Sequence, residues 1–553
     1  MLNRILVAVA LSFACGIAAA QSAESGELSE PTLYDLLLGE IALQRGDLPL
    51  AAKTYLGLAR RTRDPRIARR AAEVANQAKE PELAVDAARL WHEIEPASAH
   101  ALQVYAATLV AAKRVDEAGP VIEKLFSAEG VNRENAFMQL NRLLAGNPDK
   151  SANLRVIRNM AAKYPQMPQA HFAVAQAAAV ADEDEAAIAA AKEAQKLRPD
   201  WELATLLEAQ VLQKRSPAAA AKRLGEFVES YPNSRDARLS YARVLVLEKR
   251  FAEARKQFEA VAGAYPGNPE VIYAVGLLAY QLKDYPAAED YMKRVLGLGY
   301  RDPEGVRYLL GQMAEEQKLW PRAIEWYESI KSGDHVMAAR MRTANVIAKQ
   351  GKLDEARAFL KRVAAEYPED QVQLTVAEAQ LLRDAQRHAD AFTLLSDALG
   401  KQPEQPDLLY DLALTAEKLE RFDLLESHLR KLIEVKPDHA HAYNALGYSF
   451  ADRNMRLPEA RKLIEKALEL APEDYFIIDS LGWVLYREGD LKGAARELRR
   501  AYSGRPDAEI GAHLGEVLWM LGERDEARRI WDESLKAGPE NETLQKTIKR
   551  LRR

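Results

Sequence analysis

Histidine, cysteine and paired carboxylates are where chemistry would begin in this chain. The nine histidines are scattered. The nearest pair, His439 and His441, stand two apart at a predicted helix start, so their rings leave on different faces and cannot share one ion. No H-E-x-x-H, G-x-S-x-G, G-x-G-x-x-G or G-x-x-x-x-G-K string occurs. Cys15 is the only cysteine, which leaves no disulfide, Cys-ligated metal or thiol nucleophile beyond the first twenty residues. No catalytic residue, metal or cofactor is therefore expected, and the remaining chemistry is recognition. Tyr448, Phe476, Trp483, Tyr486 and Trp519, with the carboxylates of Asp479 and Glu516 among them, suit an extended peptide or a protein edge. The same residues can instead pack adjacent elements together. Arg60, Arg61, Arg63, Arg66, Arg69 and Arg70 form the densest basic patch. It is either a dock for an acidic partner or anionic head groups, or a solvated helix end favoured by the helix dipole.

The elements that carry these residues repeat. Tyr443-x2-Leu446-Gly447-x2-Phe450 is followed by Ala460, Ile464, Ala467 and Pro472. The pattern returns as Ile478, Leu481, Gly482, Leu485, Ala494, Leu498, Ala501 and Pro506, and again as Gly511, Leu514, Gly515, Leu518, Ala527, Trp531, Ser534 and Pro539. Two antiparallel helices approach to about 8–10 Å only where small side chains meet, and the glycines and alanines provide for that. The closing prolines cannot continue the second helix. The arrangement resembles the tetratricopeptide (TPR) repeat, with its period of about 34 residues.

The second-helix alanine recurs at Ala51, Ala84, Ala118, Ala187, Ala220, Ala254, Ala288, Ala323, Ala356, Ala391, Ala460, Ala494 and Ala527, and Leu425 takes one missing place. The expected fold is all-α: a right-handed α-solenoid of about fifteen helical hairpins over residues 32–539, closed by a capping helix in 540–553. First helices line the concave side of such an array. Gly46, Gly351, Gly489 and Gly522 stand where a first helix should end in a left-handed residue, and Asp200, Asp438 and Asp507 are placed to N-cap the next helix. Residues 129–155 read as a degenerate repeat without the alanine. The stretches 297–305 and 331–335 break the proline register, and Asp182 to Glu185 reads as a solvated turn.

Residues 1–20 have the form of a signal peptide, with Arg4, the apolar run Ile5 to Ala14 and Ala18-Ala19-Ala20; residues 21–31 form a polar linker. No later stretch approaches the roughly 20 apolar residues of a membrane span. Cleavage after Ala20 would give a soluble periplasmic protein. Lipidation at Cys15 would tether it to the outer membrane, although Ser12 stands where a lipobox prefers a branched aliphatic residue. The net charge of −5 argues against nucleic acid as a partner.

Two stretches carry a closer likeness. One is Leu33-Tyr34-Asp35-Leu36-Leu37-Leu38-Gly39-Glu40-Ile41-Ala42 with Arg45-Gly46-Asp47 and Thr62-Arg63-Asp64-Pro65; the other is Asp479-Ser480-Leu481-Gly482-Trp483 with His513-Leu514-Gly515-Glu516-Val517-Leu518-Trp519. In them the chain resembles the envelope TPR adaptor lipoproteins of Gram-negative bacteria that bind a carboxy-terminal processing protease. The resemblance implies a non-catalytic scaffold that delivers substrates, such as peptidoglycan hydrolases, to a PDZ-containing serine protease and switches it on. A general TPR scaffold in envelope assembly or exopolysaccharide export is the alternative. The helix predicted over Leu33 to Leu43 is apolar nearly all round, through Leu33, Leu36, Leu37, Ile41 and Leu43. No earlier repeat exists to bury it, so the expected cover is a partner protein or a second copy of the chain, the alternative being that it folds back onto the second and third repeats.

Overall fold

The computed structural model describes residues 29–551. The signal segment 1–20, Cys15 and most of the 21–31 linker lie outside the described residues. Among the described residues thirty-one α-helices follow one another without a strand. They pair into fifteen hairpins, from Glu30–Gln44 with Leu48–Thr62 to Ala508–Leu521 with Arg524–Ala537, and the helix Glu542–Leu551 follows. The chain divides into two compact units, one ending at Arg294 and the other beginning at Val295.

In each unit the core is built on the recurring alanines. Ala51, Ala84, Ala118, Ala187, Ala220, Ala254 and Ala288 are buried in the first; Ala323, Ala356, Ala391, Ala460, Ala494 and Ala527 are buried in the second. Leu425 is equally buried at the place where alanine is missing. The stretch 129–155 corrects the reading that its repeat lacks the alanine. Ala152, one period after Ala118 and one before Ala187, is buried there at the start of the helix Lys150–Ala161. Close approach explains Gly447 and Gly515 of the second unit. A Cβ at Gly447 would stand 2.8 Å from the Ala460 carbonyl oxygen, and one at Gly515 would stand 2.1 Å from the Trp531 ring nitrogen.

Second helices end two residues before Pro199, Pro232, Pro266, Pro368, Pro403, Pro437, Pro472, Pro506 and Pro539, since the residue preceding proline is pushed out of the α region. Most first helices end in a left-handed residue; Glu202–Arg215 does not, and passes through extended Ser216 directly into Pro217–Ser230. Gly46, Gly351, Gly489 and Gly522 have φ between 77° and 93°. Lys79, Lys113, Asp182, Lys249, Lys283, Lys318, Gln386, Glu420 and Asn454 hold φ of 55–60° at the same point of their hairpins. The conformation costs a non-glycine residue about 1–2 kcal/mol. It is offset by closing the helix end: after Lys79, for example, the Glu80 N–H donates to the Ala75 carbonyl at 3.1 Å. At the end of the degenerate repeat's first helix, Arg133–Leu144, no such residue occurs, and side-chain amides close the turn instead. Buried Asn147 donates to the Asp149 carbonyl and to Asn153 Oδ1, and Asn153 donates to the Leu144 carbonyl.

Of the three aspartates expected as caps, Asp507 accepts from the Glu509 N–H at 2.8 Å. Asp200 and Asp438 do not act as caps. The chain turns one residue later, so Trp201 and His439 occupy the N-cap positions, and His439 Nδ1 accepts from the Ala442 N–H. Of the acidic run Asp182 to Glu185, read as a solvated turn, only Asp182 and Glu183 lie in the turn, while Asp184 and Glu185 open the helix Asp184–Leu197. Asp182, Asp184 and Glu185 meet Lys214 and Arg215 of the next hairpin, and Glu183 meets Arg158.

Candidate partner-binding surfaces

In the second unit the first helices Ala440–Asp452, Tyr475–Glu488 and Ala508–Leu521 lie side by side, followed by Glu542–Leu551. Helical periodicity sends Asp479, Trp483 and Tyr486 of the middle helix towards the residues of the last one at the same register. His513 is central. Its Nδ1 bonds the Asp479 carboxylate at 2.9 and 3.1 Å, its ring stacks on Trp483 with centroids 4.2 Å apart, and its Nε2 lies 3.5 Å from the Tyr448 hydroxyl. Burial opposes a charge on the ring, but the Asp479 carboxylate overrides it by charge and hydrogen bond. Glu509 and Glu516 add to it, and the His513 pKa lies above its usual value.

Beside this pair Tyr486 donates to Glu516 Oε1 at 3.0 Å; burial, then the Glu516 charge, push its hydroxyl pKa up to about 12. Arg550 of the final helix pairs with the other oxygen of buried Glu516, which ties that helix to the cluster. Tyr448, Asp479, Trp483, Tyr486 and Glu516 are thus brought together across three hairpins, with only Tyr448 and Tyr486 partly open to solvent. Phe476 and Trp519 stand apart. Phe476 is exposed, with the Arg505 guanidinium 4.6 Å from its ring. Trp519 is half-buried, 5.6 Å from Trp531, with Arg524 and Arg528 over its face. Two buried polar atoms on this face have no partner, the Trp483 ring N–H and Asn444 Oδ1. His513 was not among the residues chosen from sequence. The signal available was its position one period after Asp479, with a basic side chain opposite an acidic one at equal register.

The other candidate surface is the first hairpin. The helix Glu30–Gln44 packs on Leu48–Thr62, turning Ala42 into the core and half-burying Leu36 and Leu43. Its other side is open: Leu33 is 44 % exposed, Tyr34 66 %, Leu37 52 % and Ile41 47 %. Leu33, Leu37 and Ile41 succeed one another at four-residue steps and so form one stripe. Each arginine of the basic patch has a carboxylate neighbour. Arg60 meets Asp86 at 3.1 Å, Arg66 meets Asp64 at 2.7 Å, and Arg69 and Arg70 share Glu73; Arg61 meets Asp35 and Arg63 meets Glu93. Exposed pairs of this kind contribute about 0–1 kcal/mol each.

Among the described residues no group of His, Cys, Asp or Glu could hold a metal ion, and no helix is long and apolar enough to cross a membrane.

The tetratricopeptide repeat description matches residues 211–269, 273–335, 376–424, 426–475 and 480–542, and a second description of the same repeat matches 338–370. A TPR repeat-containing protein of Pseudomonas aeruginosa is 33 % identical over 95 % of this chain and 89 % of its own length. Cellulose synthase operon protein C of Pseudomonas fluorescens is 27 % identical over 33 % of this chain and 15 % of its own length. Among solved structures, yeast Tom70 is 14 % identical, covers 95 % of this chain and 96 % of its own, and has a TM-score of 0.34. With five matched segments that span half the chain and a full-length relative, this all-helical array belongs to the tetratricopeptide repeat family.

Proposed function

We propose that the protein is a non-catalytic adaptor of the cell envelope that docks a carboxy-terminal processing protease through its first hairpin and presents protein substrates to it. The carrying observation is the stripe Leu33, Leu37 and Ile41, left exposed on a helix whose opposite side is buried. An exposed apolar stripe at the end of a solenoid is costly unless another protein covers it. The likeness of this hairpin and of the Asp479–Trp519 stretch to protease adaptors supports the choice of partner. Residence in the periplasm, free or tethered through Cys15, belongs to the same proposal. The test combines the purified chain with a PDZ-containing carboxy-terminal processing protease and follows complex formation by sedimentation and cleavage of a peptidoglycan hydrolase. Deleting Leu33 to Leu43, or the milder pair Leu33→Asp and Leu37→Asp, should abolish the complex and the stimulated cleavage while circular dichroism stays helical. Full-strength binding and activation by the variants would refute the assignment.

A scaffold for exopolysaccharide export is the second reading, favoured by the similarity to the cellulose synthase operon protein over a third of this chain. Co-purification with a polysaccharide synthase, with no effect on proteolysis, would select it.

A further inference from the structure

The open side of the first helix lies at a register that later hairpins bury. Tyr34 and Ile41 stand five residues before and two after Gly39, the small residue that meets the Tyr55 ring of its own hairpin. Ala339 and Val346 hold the same places about Ala344, Ile477 and Val484 about Gly482, and Ile510 and Val517 about Gly515; all six are fully buried. In those hairpins the second helix of the preceding hairpin packs on the first helix, so the natural cover for this side is another α-helix. Nothing precedes Glu30–Gln44 in the array, and Tyr34 and Ile41 are left 66 % and 47 % exposed.

The stripe fits a second copy of itself. Leu33, Leu37 and Ile41 are evenly spaced about Leu37. Two such helices crossing antiparallel therefore set Leu37 against Leu37 and Leu33 against Ile41, each contact repeated by the two-fold axis. The arrangement brings the positive N-terminus of each helix to the negative C-terminus of the other. It also brings Glu30, three residues before Leu33, to Arg45, four residues after Ile41. Both are exposed, and neither is in an ion pair among the described residues. Like charges do not meet: Asp35 pairs with Arg61 and Glu40 accepts from the Tyr55 hydroxyl, so both carboxylates turn to the helix Leu48–Thr62 and leave the stripe uncharged. So small an apolar contact, set against the freedom lost on association, gives a weak and reversible dimer. A cover of that strength yields to a partner that adds a second contact.

We infer that, in the absence of the protease, two copies of the protein pair antiparallel through Glu30–Gln44 and hide each other's docking stripe, so that the protease binds by displacing one copy. The masking rests on the docking role proposed above for Leu33, Leu37 and Ile41; the pairing does not. Sedimentation equilibrium of the full chain alone, from about 1 µM to about 1 mM, should show a concentration-dependent dimer. Leu37→Asp sets two carboxylates face to face on the axis and should weaken the dimer about a hundredfold or more. Glu30→Arg and Arg45→Glu should each weaken it about threefold or more, and the two together should restore the parent affinity. Circular dichroism would confirm that every variant is as helical as the parent. Added carboxy-terminal processing protease should dissociate the dimer as the complex forms. A chain that stays monomeric to about 1 mM, a dimer untouched by Leu37→Asp, or a charge exchange that fails to restore pairing would overturn the inference and leave the docking role standing. Protease bound to a still-paired dimer would overturn the masking. Loss of the dimer in Leu37→Asp with protease binding at full strength would refute the docking role, and the masking with it, while the pairing stands.

Discussion

Gly515→Ala should destabilise the second unit, although glycine inside a helix is ordinarily the weaker residue. Alanine would gain about 1 kcal/mol in helix propensity. Against this, the added methyl would lie 2.1 Å from Trp531 Nε1, 2.5 Å from Cδ1 and 2.6 Å from Cε2, where comfortable carbon contacts are about 3.5–4.0 Å. Trp531 is fully buried, with its ring N–H directed to the Ala512 carbonyl, so the ring cannot swing into solvent. Relief requires a shift of an ångström or more between the two helices of the last hairpin. Overpacking of this kind costs about 1–3 kcal/mol, and a rigid aromatic neighbour places it at the upper end. The net expectation is a loss of about 2 kcal/mol. Gly57→Ala is the control, since nothing lies within 4 Å of its added methyl; it should raise stability by about 0.5–1 kcal/mol. Urea unfolding followed by tryptophan fluorescence reads mainly the second unit, which holds five of the seven tryptophans, Trp519 and Trp531 among them, and far-UV circular dichroism reads the whole chain. Units of a repeat array unfold separately, so the Gly515→Ala loss should appear in the fluorescence transition. A Gly515→Ala protein as stable as the parent would show that close helix approach is not what this glycine serves.

Other tests follow from the same geometry. The pKa of His513 is raised in the folded state, so its contribution to stability is full below the ordinary histidine value near 6.5 and is lost as pH rises through the folded value. Urea midpoints of the second unit should therefore fall between mildly acidic and alkaline pH. Asp479→Asn, which strands a buried partner at a cost of about 3–5 kcal/mol, should flatten that dependence; an unchanged pH profile would refute the pairing. Trp483→Ala, at a buried position, should cost about 3–5 kcal/mol of stability, and half-buried Trp519→Ala should cost less. Weakened partner binding by folded Trp519→Ala would mark that ring as a contact. Cys15→Ser should leave processing and periplasmic solubility unchanged if cleavage follows Ala20, whereas loss of a membrane-bound form would identify Cys15 as a lipid site.

Much of the fold was legible because it rests on residues with few alternatives. Alanine in the first turn of nearly every second helix, and proline two residues past the end of many of them, leave packing and backbone little choice, so their spacing carries the hairpins. The left-handed turn was legible only where glycine filled it. At Lys79 or Asn454 the conformation is set by the hydrogen bonds that close the helix end, which residue type does not announce. Asp438 is a better capping residue than His439, yet the path from Pro437 places His439 at the helix start. The cluster around His513 was half legible. Tyr448, Asp479, Trp483, Tyr486 and Glu516 were identifiable by register along their helices. That Asp479 and Trp483 close on a histidine one repeat later, and so lie inside the array, depends on how neighbouring hairpins stack.

The size of the exposed stripe bounds what it can do. Leu33, Tyr34, Leu37 and Ile41, with Leu50 on the next helix, are 41–66 % exposed. Full burial of such a side chain is worth about 1.5–3 kcal/mol, so covering what remains open gives about 1 kcal/mol each, roughly 5 in all. Association alone costs about 4–15 kcal/mol in lost freedom. The stripe by itself therefore cannot hold a partner tightly, and a second contact elsewhere on the array must act with it. A peptide spanning the first hairpin, residues 30–62, should bind the protease at least about a hundredfold more weakly than the intact chain. Replacing Leu37 in the intact chain should still break the complex, because each contact is needed to overcome the cost of association. If the isolated hairpin matches the full chain in affinity, the remaining fourteen hairpins contribute nothing to docking, and the two-contact argument fails.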